Sequence, residues 1–117
     1  MNTNLDIGEF GEDLAMEYLM ALGFEILERN WRHRYWEIDL IAKEGETTVF
    51  IEVKTRKSTK YGMPEEGLTK KKLKTIIAAG AEYLHKHPNW DVRYDCVSIL
   101  LQGKAIKDLL HIRDVYI

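Results

Sequence analysis

The sequence predicts an α/β fold, a single domain in which a mixed β-sheet is flanked by helices. Two segments carry apolar residues at helical spacing, and four segments alternate or run apolar over strand lengths. Their order, helix, three strands, helix, strand, suits a sheet covered by helices.

Residues 8–22 read as the first helix. Phe10, Leu14, Tyr18, Ala21 and Leu22 recur three or four apart, Ala15 and Leu19 widen the stripe, and Gly23 is a stop signal. A short strand lies within residues 24–31. Residues 36–42 and 47–54 form a hairpin whose turn, Lys43-Glu44-Gly45-Glu46, centres on Glu44-Gly45. Residues 57–67, with Gly62 and Pro64, are loop. Thr69 caps a second helix running to about His85, with an apolar face of Leu73, Ile76, Ile77, Gly80, Ala81 and Leu84; Pro88 lies beyond its end. Residues 92–101 are the fourth strand, and a short β-like segment spans residues 109–117.

At 117 residues, 45% hydrophobic and 31% charged, the composition excludes a disordered tail, a collagen-like repeat and a membrane-spanning chain. The longest apolar run, Ile76 to Ala81, falls far short of the roughly 20 residues of a membrane helix. Residues 1–28 hold no Lys or Arg, so no secretion signal is expected there. The one cysteine, Cys96, excludes an internal disulfide and suits a reducing, cytoplasmic setting.

The net charge of −2 hides a segregation. Residues 1–28 hold seven acidic residues and no basic ones. Residues 54–74 hold eight basic residues (Lys54, Arg56, Lys57, Lys60, Lys70, Lys71, Lys72 and Lys74) against Glu65 and Glu66. A local field of that size attracts phosphate whatever the overall sum. Two solvated faces that attract each other are the plainer explanation.

The stretch with most chemistry is Glu37-Ile38-Asp39-Leu40 followed by Glu52-Val53-Lys54. Residues two apart in a strand share a face, so Glu37 and Asp39 lie together, as do Phe50, Glu52 and Lys54. Ile38, Leu40 and Ala42 share the opposite face. A turn at Glu44-Gly45 sets 37 opposite 52 and 39 opposite 50, gathering the charges on one side. Clustered carboxylates repel, and a divalent cation converts the repulsion into coordination. A solvent-facing hairpin, with Lys54 paired to Glu52 or Asp39, explains the same pattern without a metal.

Asp followed by Glu-x-Lys on adjacent strands resembles the PD-(D/E)XK nuclease core. More narrowly, the chain resembles the YraN family of bacterial proteins, whose fold is endonuclease-like and related to archaeal Holliday-junction resolvases. The matching pieces are Gly8-x-x-Gly11-Glu12, Tyr18-Leu19, Asn30, Glu37 to Ala42, Val49 to Arg56, Gly62-x-Pro64-Glu65, Ala81-x-Tyr83-Leu84 and Arg93-Tyr94-Asp95. Trp36 stands where the family usually has Gly, and is expected to narrow the approach to Asp39. The resemblance implies a restriction-endonuclease-like core across residues 1–117. It also implies Mg²⁺ or Mn²⁺ held by Asp39 and Glu52, with Glu12 binding metal or water and Lys54 orienting the attacking water. Glu37 is assigned to a supporting position beside them.

The expected partner is nucleic acid, DNA in particular, gripped by Arg56, Lys57, Lys60, Lys70, Lys71, Lys72, Lys74, Arg32 and Arg34. Trp31, Tyr35 and Trp36 interleave with these arginines in a mixture suited to stacking on bases. A two-fold homodimer is the arrangement that cutting both strands of a junction favours. His33, His85, His87 and His111 read as surface residues, and Cys96 as core. Two other readings stay open: a catalytically weak binding module of the same fold, and a protein-interaction module.

Overall fold

The structure, a computed structural model, describes residues 4–57 and 69–115. Helix α1 (Asn4–Ala21) leads into strands β1 (Glu25–His33), β2 (Trp36–Glu44) and β3 (Thr47–Lys57). Helix α2 (Lys70–Lys86) and strands β4 (Val92–Gln102) and β5 (Ala105–Ile112) complete the chain. The five strands form one mixed sheet in sequence order. Strands β3 and β4 are parallel and the other neighbours antiparallel. No helix among the described residues is long and apolar enough to cross a membrane. The predicted loop falls almost wholly at positions 58–68, so Lys60, Gly62, Pro64, Glu65 and Glu66 lie outside the described residues.

Helix α1 begins earlier than the apolar spacing predicts but stops where Gly23 predicts. Gly23 takes φ 99°, and the Phe24 amide donates to the Leu19 carbonyl at 3.0 Å, closing the last turn. Ala15 and Leu19, predicted as the margin of the stripe, are its fully buried centre, whereas Leu22 is exposed. On α2 the Thr69 side chain accepts the Lys72 amide at 3.1 Å, as a cap should. Its buried face is Leu73, Ile76, Ala79, Gly80 and Tyr83, with Ile77 left exposed. The observed stripe is therefore rotated from the predicted one, because Ala79 and Tyr83 face the sheet.

The helices cover opposite faces. Under α1, Ala15 and Leu19 pack with Leu40, Ala42, Val49, Ile51, Val97, Ile99 and Leu101. Under α2, Ile76, Ala79 and Tyr83 pack with Ile38, Ile41 and Phe50. Gly80 lets α2 approach closely: a Cβ there would lie 3.1 Å from the Phe50 ring. Fully burying each large side chain contributes about 1.5–3 kcal/mol.

The alternation predicted for β2 breaks at Asp39. Ile38 joins the α2 cluster instead of sharing the α1 face with Leu40 and Ala42. The paired strand reverses at the same place: Arg29 bonds to α1, while Trp31 packs on the α2 cluster. Between them Asn30 takes φ 53°, a left-handed conformation that Asn tolerates better than most residues.

Strand β5 starts at Ala105, earlier than the predicted residue 109, because Gly103 (φ 63°) turns the chain into a hairpin with β4. That hairpin is tied to α1 by a buried network around Asp95. Arg93 donates to its carboxylate at 2.8 and 2.9 Å, and the Asp114 amide at 3.0 Å. The His111 ring lies 2.9 Å from it, and its other nitrogen 2.9 Å from the Tyr18 hydroxyl. Burial alone would raise Asp95, but the bonds from His111, Arg93 and Asp114 outweigh it and hold the carboxyl at about 2. His111 is thus an interior residue; its position in the sequence carries no periodic sign of that.

Gly11 is buried where α1 crosses β3. A Cβ at this position would fall 2.7 Å from Thr55 Cβ and closer still to its hydroxyl. Gly11→Ala should therefore cost about 1–3 kcal/mol of stability, read by chemical denaturation. An unchanged midpoint would show that the helix can shift freely.

Candidate functional site

The hairpin turn is Gly45-Glu46, with Gly45 at φ 61°. Only the first central residue of a type II′ turn needs positive φ, and Gly supplies it without strain. The turn lies one residue beyond the predicted centre. This shifts the register by two, giving Ala42↔Val49 and Leu40↔Ile51. A two-residue shift preserves which side chains share a face. It sets Asp39 and Glu52 just past the last paired step, instead of Glu37 and Glu52.

Where this ladder stops, the Asp39 side chain takes over from the backbone: its Oδ2 accepts the Val53 amide at 2.9 Å. Glu52 is only 9% exposed. Its Oε2 lies 3.6 Å from Lys72 Nζ, and its Oε1 is buried without a hydrogen-bond partner. Burial, and then the neighbouring Glu52, push Asp39 up to about 8. Both carboxylates line a cleft of about 680 Å³, shared with Glu12, Lys54, Thr55, Arg56 and Lys57. The Thr55 hydroxyl is a second buried polar atom without a partner.

Glu12 reaches the cleft from α1, and its Oε1 is 3.3 Å from Arg29 Nε. Burial first, and then Asp39, raise its pKa despite the arginine. Glu37 is elsewhere. It pairs with Arg32 at 2.7 Å in an adjoining pocket, beside Glu12, Arg29 and Asn30. Trp36 does not line the Asp39 cleft; it stacks on His33, ring centres 6.3 Å apart, and leaves the approach to Asp39 open. Cys96 is fully buried and pairs with Glu52 in the β3–β4 register; burial pushes its thiol up to about 11, far from a reactive thiolate.

The basic residues divide into two groups. Arg34, Arg56, Lys57, Lys70, Lys71 and Lys74 are exposed. Lys72, with its side chain still 43% exposed, reaches Glu52, and Arg32, also exposed, pairs with Glu37. Sequence reasoning missed this role of Lys72 because it lies in a run of lysines that look alike. Arg29, which binds Glu12, Asp13 and the Glu9 carbonyl, was likewise invisible as their common partner.

No group of three or more His, Cys, Asp or Glu side chains among the described residues is placed to hold a metal ion. Asp39 and Glu52 alone still match Mg²⁺, which keeps several waters and takes one or two protein carboxylates together with phosphate oxygens. The orphaned Oε1 of Glu52 and the raised Asp39 are what such a pair shows when no cation neutralises it.

The Asp39 proton carries a testable sign. Its folded pKa, about 8, lies above that of the unfolded chain, about 4, so the native state binds this proton more tightly. The resulting stability is present below about pH 4 and is lost as pH rises towards 8. In chelator, Tm should fall across that window. Asp39→Asn should reduce the fall and raise Tm at pH 8; a lower Tm for the variant at that pH would contradict the assignment.

Residues 11–99 match the family described as "Uncharacterised protein family UPF0102". A UPF0102 protein of Rhodococcus opacus (strain B4) is 44% identical over 118 aligned positions, covering 99% of this chain and all of the relative. One from Geotalea daltonii is 41% identical, covering 98% of this chain and 92% of its own. One from Caldicellulosiruptor bescii is 46% identical, covering 84% and 85%. The cleft-lining residues Glu12, Asp39, Glu52 and Lys54 all fall inside the matched span, and the chain belongs to the UPF0102 (YraN) family.

Proposed function

We propose that this protein is a PD-(D/E)XK-like nucleic-acid-binding domain that hydrolyses phosphodiester bonds with Mg²⁺ or Mn²⁺. The observation that carries the reading is the buried pair Asp39 and Glu52, opening on one cleft with Lys54 and exposed basic residues. Asp39 and Glu52 would hold the cation, which lowers the pKa of water and offsets charge on the phosphate. Lys54, two residues from Glu52 on the same strand, orients the attacking water and stabilises the developing negative charge. Glu12, which lines the same cleft, would hold a water beside the pair. Lys72 neutralises Glu52 while no cation is bound.

A binding module without turnover is the second reading, and Glu12 favours it, because Arg29 already occupies one of its oxygens. The two readings separate in one assay. Rigorously purified protein should cut DNA only when Mg²⁺ or Mn²⁺ is present, and Asp39→Asn, Glu52→Gln and Lys54→Ala should each lose that activity while remaining folded. Binding without cutting under all of these conditions supports the module. In either case Mg²⁺ should raise Tm in the parent protein and leave Asp39→Asn unmoved.

The exposed lysines make a separate prediction. Each phosphate contact contributes about 0.9 to the slope of log affinity against log salt on duplex DNA. Replacing Lys70, Lys71 and Lys74 with Gln keeps helix propensity and leaves Lys72 on Glu52. The variant should bind all sequences more weakly and with a shallower slope. An unchanged slope would make this segment a solvated face.

A further inference from the structure

Residues 34–35 form the turn between β1 and β2, and we propose that Tyr35 stacks on an unpaired base, so that the preferred substrate contains single-stranded or branched nucleic acid. This rests on the nucleic-acid reading above and narrows it. Tyr35 is 96% exposed. The other rings nearby are already engaged. Trp31 meets Tyr83 edge-on at 5.5 Å, and His33 stacks between Trp31 and Trp36 at 6.2 and 6.3 Å. Tyr35 is the one aromatic of this hairpin with both faces open.

Its position in the fold gives the exposure a meaning. The turn sits at the end of the sheet where β2 begins and β3 ends, because these strands are antiparallel. By strand direction it lies towards the end where Arg56 and Lys57 close β3, and the hairpin leans on the second half of α2, where His33 lies 3.7 Å from Glu82 and shares a pocket with His85 and Lys86. At about 3.3 Å per residue, Tyr35 is about 13 Å along the strand from Asp39. Arg34 beside it is exposed, has no ion-pair partner among the described residues, and takes φ 58°. That backbone favours glycine, so the arginine sits there against the local conformational preference.

A fully exposed aromatic is not by itself a signal, and Trp90 shows why. It is equally exposed, but it lies at the opposite end of the sheet, between Asn89 and Asp91, away from Arg34, Arg56 and Lys57. Charge and position distinguish Tyr35. The preference for unpaired bases follows from access: a duplex presents base edges in its grooves and keeps the ring faces stacked, whereas an unpaired base offers a π face.

The test uses fluorescence anisotropy in EDTA, with a labelled DNA single strand, the matching duplex, and a duplex containing an unpaired 2-aminopurine. Tyr35→Ala should weaken single-strand binding roughly five- to hundredfold, the range that stacking of one base supplies, and leave duplex affinity and its salt slope unchanged. Tyr35→Phe should restore the preference, and Trp90→Ala should alter neither substrate. The parent should quench the 2-aminopurine and Tyr35→Ala should not. Arg34→Gly should raise Tm yet weaken binding to both forms. Equal losses on single strand and duplex, no loss on either, or failure of Phe to rescue would overturn the proposal. Because no cleavage is required, an inactive protein that keeps this discrimination still supports it. Active cleavage with no Tyr35 effect would sink it alone.

Discussion

Strand β3 is covered on both faces, and the site depends on that. From Thr48 to Glu52 every residue is buried, with Val49 and Ile51 under α1 and Phe50 under α2. A strand covered in this way reads as a continuous apolar run, and Glu52 is the charged interruption in it. Water cannot solvate its inner oxygen, so the carboxylate needs protein or ligand partners. Lys72 supplies one and leaves the other oxygen without any. Moving either helix away would dissolve the carboxylate and remove the reason for Asp39 to hold its proton.

The second constraint is where the β2–β3 ladder stops. If pairing continued past Leu40 and Ile51, backbone groups would fill the space that the Asp39 side chain enters. Instead Oδ2 satisfies the Val53 amide, so the strands separate without stranding a donor. The reversal of facing at Asn30 and Asp39 allows Ile38 and Trp31 to pack under α2 while Leu40 and Arg29 face α1. One local distortion thus closes both cores and opens the cleft between them.

Charge follows the same division. The acidic first helix is not left unpaired against the sheet: Arg29 gathers Glu12 and Asp13. On the same face, towards the other edge of the sheet, the buried Asp95 network fixes the β4–β5 hairpin to α1. A carboxylate removed from water needs such bonds to stay ionised; Asp95 has Arg93, His111 and the Asp114 amide, while Asp39 has the Val53 amide and faces Glu52. The opposite shifts of these two aspartates distinguish a carboxylate serving structure from one set beside a cleft.

The sequence by itself determined the periodic features. Helical spacing placed both helices, Gly23 and Thr69 marked a stop and a start, and strand parity put Asp39 and Glu52 on a common side. Parity survives a two-residue slip in register, so the central pair was legible, although neither its register nor the break in alternation at Asp39 was. Only the tertiary structure decided that Asp39, not Glu37, lies beside Glu52, that Lys72 reaches Glu52 from a run of lysines, and that His111 is interior. Those facts depend on which residues meet across elements far apart in the chain, and a period of two or 3.6 residues says which face a side chain takes, not what it finds there.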